Sequence, residues 1–147
     1  MKKLNSKGFT LVEVLAVIVI LGVLAAITVP AVSSVMEQNK QNGFKNLQKS
    51  IISAAKIYIS DNKYNITLSG TCGTERPIGS VLGNNISNSQ IPIKLLVDSG
   101  DLNDGNGNIV NPQNRNQKLD LTNSYITVKY DCDTKGFKYE NPVLNWQ

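Results

Sequence analysis

Histidine is absent from this chain of 147 residues. Its absence removes the Ser-His and Cys-His pairs of nucleophilic catalysis, the usual general base at neutral pH and the commonest metal ligand. A Ser-Lys or paired-carboxylate arrangement stays open, although no stretch of the sequence points to one. We therefore expect no enzymatic activity, and the sequence predicts no catalytic residues, metal site or cofactor.

Beyond its first eight residues, the chain has almost no net charge. Without Lys2, Lys3 and Lys7, the 15 basic residues fall to 12 against 11 acidic ones, so the formal charge falls from +4 to +1. The remainder has no basic and aromatic stripe, and we expect no direct binding of nucleic acid. Its length is sufficient for one small globular domain.

The N-terminal part of the chain contains one long apolar run. It extends from Phe9 to Val29 and contains a single charge, Glu13. About 20 residues of helix are enough to cross a bilayer. A carboxylate inside such a helix costs at least about 2.5 kcal/mol and therefore needs a partner. Cleavage between Gly8 and Phe9 would create an amine one helical turn from Glu13, and the same amine of a neighbouring copy would serve equally well.

The segment Lys7-Gly8-Phe9-Thr10-Leu11-Val12-Glu13, followed by the apolar run and Pro30, resembles the N-terminus of type IV prepilins and pseudopilins. This resemblance implies that a prepilin peptidase cuts after Gly8 and that Phe9 is N-methylated. It also implies that Glu13 neutralises the Phe9 amine of the adjacent subunit while the apolar helices bundle into a filament. Pro30 falls at the usual kink position of the family.

An ordinary signal peptide or a plain membrane anchor is the alternative. The stretch begins with lysines and has small residues at Ala25, Ala26 and Ala31 that could be cut. However, the apolar core of a signal peptide has about 7–15 residues. The present run is longer and contains an acid, which favours the prepilin interpretation.

The resemblance implies a structural subunit of a type IV pilus, a cell-surface filament associated with adhesion and motility. The alternatives are a pseudopilin of a type II secretion or DNA-uptake system, a minor adhesive pilin, or an anchored binding protein that never polymerises. The implied partners are other pilin subunits, the peptidase, the membrane and, indirectly, an assembly ATPase and platform. Because positive flanks stay cytoplasmic, we expect a single-pass membrane protein with its C-terminal domain outside, which later joins an extracellular pilus.

The helical pattern continues beyond Pro30 to about Asp61. An apolar stripe with spacings of three and four predicts one buried face, made of Phe44, Leu47, Ile51, Ala54, Ala55 and Tyr58. Gly22 and Pro30 weaken the preceding helix, so both are predicted kink positions.

We therefore predict an α+β, type IV pilin-like fold in which a long N-terminal helix packs on a small antiparallel sheet. The predicted segments are a leader (1–8), a transmembrane and assembly helix (9–29), an amphipathic helix (30–62) and a β-rich domain (63–147).

Alternating residues in the C-terminal half indicate strands. Ser124–Tyr130 and Gly136–Glu140 predict a hairpin, and one strand each is expected at Tyr64–Leu68 and Leu119–Leu121. A short helix is expected to open at Ser89–Pro92. The face predicted to cover the helix stripe consists of Ile126, Val128, Tyr130, Phe137 and Tyr139.

Only two cysteines are present, Cys72 and Cys132, which allows one intramolecular bridge. An extracytoplasmic location favours the disulfide, with two buried free thiols as the alternative. Asp101–Asn108 is rich in side-chain oxygens, yet it lacks the ligand spacing of an EF-hand, so a glycine turn is favoured over calcium binding. Trp146 is expected to pack on the domain.

Overall fold

The computed structural model describes residues 9–103, 105 and 109–147, apart from the side chains of residues 28–31. It contains two α-helices and six short strands. In chain order these are α1 (Leu11–Asp61), β1 (Ile66–Leu68), β2 (Glu75–Val81), β3 (Asn84–Asn85), β4 (Gln90–Pro92), α2 (Ile93–Asp98), β5 (Tyr125–Asp131) and β6 (Gly136–Tyr139). The α+β, pilin-like layout predicted from the sequence is confirmed.

The helix α1 is shared between two compact units of the chain, which divide between Asn39 and Lys40. In the first unit the large apolar side chains from Leu11 to Ile27 are each more than half exposed. By length and composition, α1 could cross a membrane. Gly22 and Pro30 both lie within α1, and their role as kink positions stays a prediction.

In the second unit, α1 follows the predicted stripe. Ile51, Ala54, Ala55 and Tyr58 are buried, and Ile59, which the sequence reading omitted, is buried beside them. At the end of the helix, the Asn62 side chain donates a hydrogen bond to the Tyr58 carbonyl, 2.8 Å away. Asn62 thus satisfies one of the carbonyls that a helix terminus leaves unpaired.

Gly43 permits a close approach between α1 and the loop that carries Pro112. A Cβ at position 43 would lie only 3.0 Å from the Pro112 Cβ. This contact accounts for a glycine inside a helix, where it otherwise costs up to about 1 kcal/mol relative to alanine.

The sheet is antiparallel, with strand order β1-β2-β5-β4; β3 also pairs with β2, and β6 pairs with β5. The predicted β5–β6 hairpin is confirmed, with Val128 opposite Tyr139. Ile126 and Val128 are fully buried, and Phe137 and Tyr139 are half-buried against the same core. Tyr130 meets Phe137 edge to face, with ring centroids 5.4 Å apart.

The predicted helix start at Ser89–Pro92 is wrong, because residues 90–92 form β4 and α2 begins at Ile93. The Ser89 hydroxyl accepts a hydrogen bond from the Ile78 amide, 3.0 Å away, and does not cap a helix. Gln90 pairs with Thr127 of β5. Pairing with the central strand therefore outweighs the local helix-start signal.

The third strand predicted at Leu119–Leu121 is also wrong. Leu119 makes only an isolated bridge to Trp146, and the neighbours of β5 are β2, β4 and β6. The strand predicted at Tyr64–Leu68 is shortened to Ile66–Leu68, because residues 63–65 form a 3₁₀ turn. Trp146 packs half-buried against the core, as predicted.

The disulfide between Cys72 and Cys132 is present. It joins the β1–β2 loop to the turn between β5 and β6, so the alternative of two free thiols is excluded.

Replacing both cysteines, as Cys72→Ser with Cys132→Ser, should lower the thermal midpoint of the full chain in detergent. The bridge closes a loop of 60 residues, which corresponds to roughly 4 kcal/mol in the chain-entropy account. Reductant should shift the wild-type midpoint equally and leave the double variant unchanged. A wild-type midpoint that does not respond to reductant would contradict this expectation.

An ion-pair network covers the sheet face opposite α1, near the disulfide. Lys138 contacts Asp131 at 2.8 Å and Glu75 at 3.4 Å, while Lys129 contacts Glu140 at 2.8 Å and Glu75 at 3.5 Å. The Asp131 side chain is only 4% exposed. Lys138, followed by the backbone amide of Thr134, holds the pKa of the Asp131 carboxyl well below its ordinary value.

Asp131→Asn should destabilise the domain at neutral pH, and the difference from wild type should shrink as the pH falls below about 4. A carboxyl whose pKa is lower in the folded than in the unfolded state stabilises above its unfolded pKa of about 3.9, and this contribution disappears under acid. Urea unfolding at several pH values measures the difference. Asp133→Asn is the control, since no described residue forms an ion pair with this exposed neighbour. A difference that stays constant from about pH 7 to pH 3 would rule out the ionic contribution.

Candidate assembly site

The start of α1 places Thr10 and Glu13 in mutual contact. Since the helix begins at Leu11, Thr10 is the N-cap and Glu13 is the third helical residue. The Thr10 amide and hydroxyl each donate to Glu13 Oε2 at 2.8 Å, and the Glu13 amide donates to Thr10 Oγ1 at 3.3 Å. This reciprocal pattern is a capping box, which satisfies amides that a helix start leaves without partners.

The capping box uses only one oxygen of the Glu13 carboxylate. Within the described part of the chain, no hydrogen bond is directed to Oε1. The carboxylate is therefore fixed in position by Thr10 while it keeps acceptor capacity for a further donor. An ammonium group is a suitable donor, because charge-assisted hydrogen bonds are about twice as strong as neutral ones.

An apolar surface surrounds this carboxylate. Phe9 is 85% exposed, and Leu11 and Val12 are 82% and 70% exposed. In a bilayer or among packed helices such a surface excludes water, so a charge there interacts strongly with any cation that approaches. The arrangement can bind an amine beside an apolar helix.

Sequence reasoning identified Phe9 and Glu13 but missed Thr10. The available signal was the Thr-x-x-Glu spacing from Thr10 to Glu13, immediately before an apolar run. The predicted cleavage position Gly8 lies outside the described residues. Phe9 lies two residues before the helix, and its methylation stays a prediction.

Residues 3–29 match a family model described as the prokaryotic N-terminal methylation motif. This match contains the segment Lys7–Glu13 and the start of α1. The chain carries the N-terminal signature of prepilins and pseudopilins. The segment Lys7–Glu13, which carries the resemblance to prepilins, therefore lies within a known methylation motif.

The chain is also similar to the type II secretion system core protein G of Pseudomonas aeruginosa. The two are 44% identical over 62 residues, which cover 42% of this chain and 44% of that protein. The chain thus matches less than half the length of this curated relative. No solved structure matches the chain.

Two other positions considered from the sequence lie in the second unit. The disulfide of Cys72 and Cys132 is structural and distant along the chain from the prepilin signature. For the predicted glycine turn in Asp101–Asn108, residues 104 and 106–108 lie outside the described part, while Gly105 donates to Asn103 Oδ1 at 2.9 Å. Among the described residues no cluster of acidic or cysteine side chains could hold a metal ion.

Thr10→Val should speed hydrogen exchange at the Glu13 amide in the full chain, whereas Thr10→Ser should not. Valine has the shape of threonine but no hydroxyl acceptor, and loss of an N-cap costs about 1 kcal/mol, or roughly fivefold in exchange rate. Amide exchange of the labelled protein in micelles measures both variants. Equal rates in the valine and serine variants would show that the capping box does not hold the helix start.

Proposed function

We propose that this chain is a structural subunit of a type IV pilus that polymerises through α1 after its first eight residues are removed. The single observation that carries the proposal is the methylation motif at residues 3–29, which includes the start of an apolar helix whose large side chains from Leu11 to Ile27 are each more than half exposed. No cofactor or catalytic residue is required for this role.

The exposed apolar helix supports storage in the membrane before assembly. Its large side chains from Leu11 to Ile27 are more than half exposed. Burying such side chains stabilises by about 25 cal/mol for each Å² removed from water. Lipid provides this burial for the single subunit, and sister helices would provide it in the filament. The lysines that precede the helix support an orientation with the C-terminal domain outside the cytoplasm, because positive flanks stay cytoplasmic.

The Glu13 carboxylate supports an electrostatic role in joining subunits. Cleavage after Gly8 by a prepilin peptidase would leave a cationic amine on Phe9. Glu13 Oε1 can accept a hydrogen bond from the Phe9 amine of an adjacent subunit while Oε2 stays bonded to Thr10. Pairing the two charges offsets the cost of each in an apolar environment. This ion pair would therefore favour the addition of subunits whose Phe9 amine is free.

A pseudopilin is the second candidate function. It is favoured by the 62-residue similarity to a protein named as a core component of a type II secretion system. A DNA-uptake pseudopilin and a minor adhesive pilin would share the same N-terminal segment. All of these would use a membrane platform and a separate ATPase, and all would polymerise through the same contact.

Replacing Glu13 with glutamine should leave processing intact and prevent normal polymerisation. Glutamine keeps the size and hydrogen-bonding oxygen of the side chain but removes the charge that meets the amine. Mass spectrometry of the membrane fraction should find chains that begin at methylated Phe9, and electron microscopy should find no normal fibres. Glu37→Gln is the matched control, because Glu37 is an exposed acid on the same helix.

Normal fibres from the Glu13→Gln variant, or mature wild-type chains that retain residues 1–8, would overturn the proposal. Labelled antibodies separate the candidates in wild-type cells. Staining along surface filaments indicates a pilus subunit, and staining at the tips indicates a minor pilin. Staining confined to the cell envelope, together with loss of secretion on deletion, indicates a pseudopilin.

A further inference from the structure

An open cleft of about 360 Å³, with polar and apolar surface in about equal parts, lies on the second unit, where the end of β4 meets the start of β5. It lies on the opposite face of these strands from the buried Ile91 and Ile126. The lining residues with polar side chains are Asn85, Gln90 and Asn123, which carry carboxamides, and Ser87, Thr122 and Tyr125, which carry hydroxyls. None of the functional arguments above uses these groups.

The lining contains no acidic or basic side chain, so the cleft offers no countercharge to a phosphate, a carboxylate or an amine. Carboxamides and hydroxyls can both donate and accept hydrogen bonds. Hydroxyl groups of a ligand have the same dual capacity. The composition therefore matches a neutral ligand that carries many hydroxyls.

The apolar part of the lining includes two residues on neighbouring strands. Tyr125 of β5 pairs with Pro92 of β4, and both side chains are half-buried. As register partners on paired strands, the two residues lie on the same face of the sheet, and both line the cleft. Such a pair offers a flat apolar contact with a polar tip, which complements the C–H face of a pyranose ring.

The polar groups of the cleft are available to a ligand. Among the hydrogen bonds of the described residues, none uses the side chains of Ser87, Gln90 or Thr122, or the Tyr125 hydroxyl. They are arranged around one volume within the range of small-ligand sites.

Both walls of the cleft are held in place from outside it. Asp120 Oδ1 accepts from the amides of Thr122 and Asn123, each at 3.0 Å, and Oδ2 accepts from Asn123 Nδ2 at 2.7 Å. On the other wall, the buried Ser89 hydroxyl accepts from the Ile78 amide. A site fixed before binding loses less entropy when the ligand arrives.

We propose that this cleft binds a neutral oligosaccharide, with one sugar ring against Tyr125 and its hydroxyls bonded to Gln90 and Asn123. The lining residues Asn85, Ser87, Thr122 and Asn123 are exposed, so a longer glycan can continue beyond the cleft. Sugar binding is a property of the second unit and does not depend on polymerisation, so the two proposals can fail separately.

The test is an amide NMR titration of the full chain in lauryldimethylamine oxide, a detergent without a sugar headgroup. The probes are chitotetraose, maltotetraose and cellotetraose. We expect saturable shifts at Gln90 and at residues 122–125 with at least one of them. Response to chitotetraose alone indicates an amino-sugar glycan of the cell-wall type, whereas response to a glucose oligomer indicates an exopolysaccharide; both support the proposal.

Variants assign the binding to the cleft. Tyr125→Ala should weaken binding about tenfold, which corresponds to about 1.4 kcal/mol, while Tyr125→Phe should stay within about twofold because the ring remains. Thr122→Lys, in an exposed turn, should also weaken binding by filling the cleft without disturbing the core. Tyr64→Ala is the control, since Tyr64 is 88% exposed and does not line the cleft.

Three results would overturn the proposal. The first is the absence of shifts with all three oligosaccharides. The second is binding that neither Tyr125→Ala nor Thr122→Lys weakens. The third is binding of heparin fragments with no response to the neutral probes, since that would place the interaction on surface lysines.

Discussion

The packing of α1 against β5 is the contact on which the second unit depends. Ile51, Ala55 and Tyr58 on the helix, and Ile126 and Val128 on the strand, are almost completely buried. The strand also pairs directly with β2, β4 and β6. These three strands are therefore positioned by a strand whose inner side chains share a core with the helix, and β1 and β3 join the sheet through β2. The ion pairs and the cleft both lie on the face that this packing leaves available.

The same helix serves two different environments. Its first part exposes apolar side chains on all sides, as suits lipid or sister helices, whereas its second part buries a single stripe. A 3.6-residue period with one apolar face is expected only where one side is solvated. The change of pattern along α1 thus marks where the exposed apolar part of the helix ends and the folded domain begins.

Sequence reasoning was most successful where the pattern was long or chemically unusual. The stripe from Phe44 to Tyr58 and the alternation from Ser124 to Tyr130 are repeated signals, and both elements were found. β2 was missed because Pro77 and Gly79 read locally as turn residues. β4 was missed because three residues are too short to show a period, and its pairing with β5 is set by contacts more than 30 residues apart.

The candidate assembly site was predicted in part for the same reason. An isolated acid in an apolar run is conspicuous, so Glu13 was recognised. Thr10 was overlooked because the helix was expected to begin at Phe9, which places Thr10 inside it. Since α1 begins at Leu11, the Thr-x-x-Glu spacing forms a capping box instead. The cleft beside β4 and β5 could not have been predicted, since its groups come from two separate segments, 85–92 and 122–125, that only the folded sheet brings together.

The bridge between Cys72 and Cys132 has a mechanical consequence for any subunit under tension. It encloses β2, β3, β4, α2 and β5, so force applied to the chain ends bypasses these elements through a covalent bond. The disulfide prevents the 60-residue loop from being extended. At about 3.4 Å for each extended residue, this removes roughly 200 Å from the length to which the chain can be stretched. A stretched subunit would therefore yield at its termini and stop lengthening before the centre of its sheet carried the load.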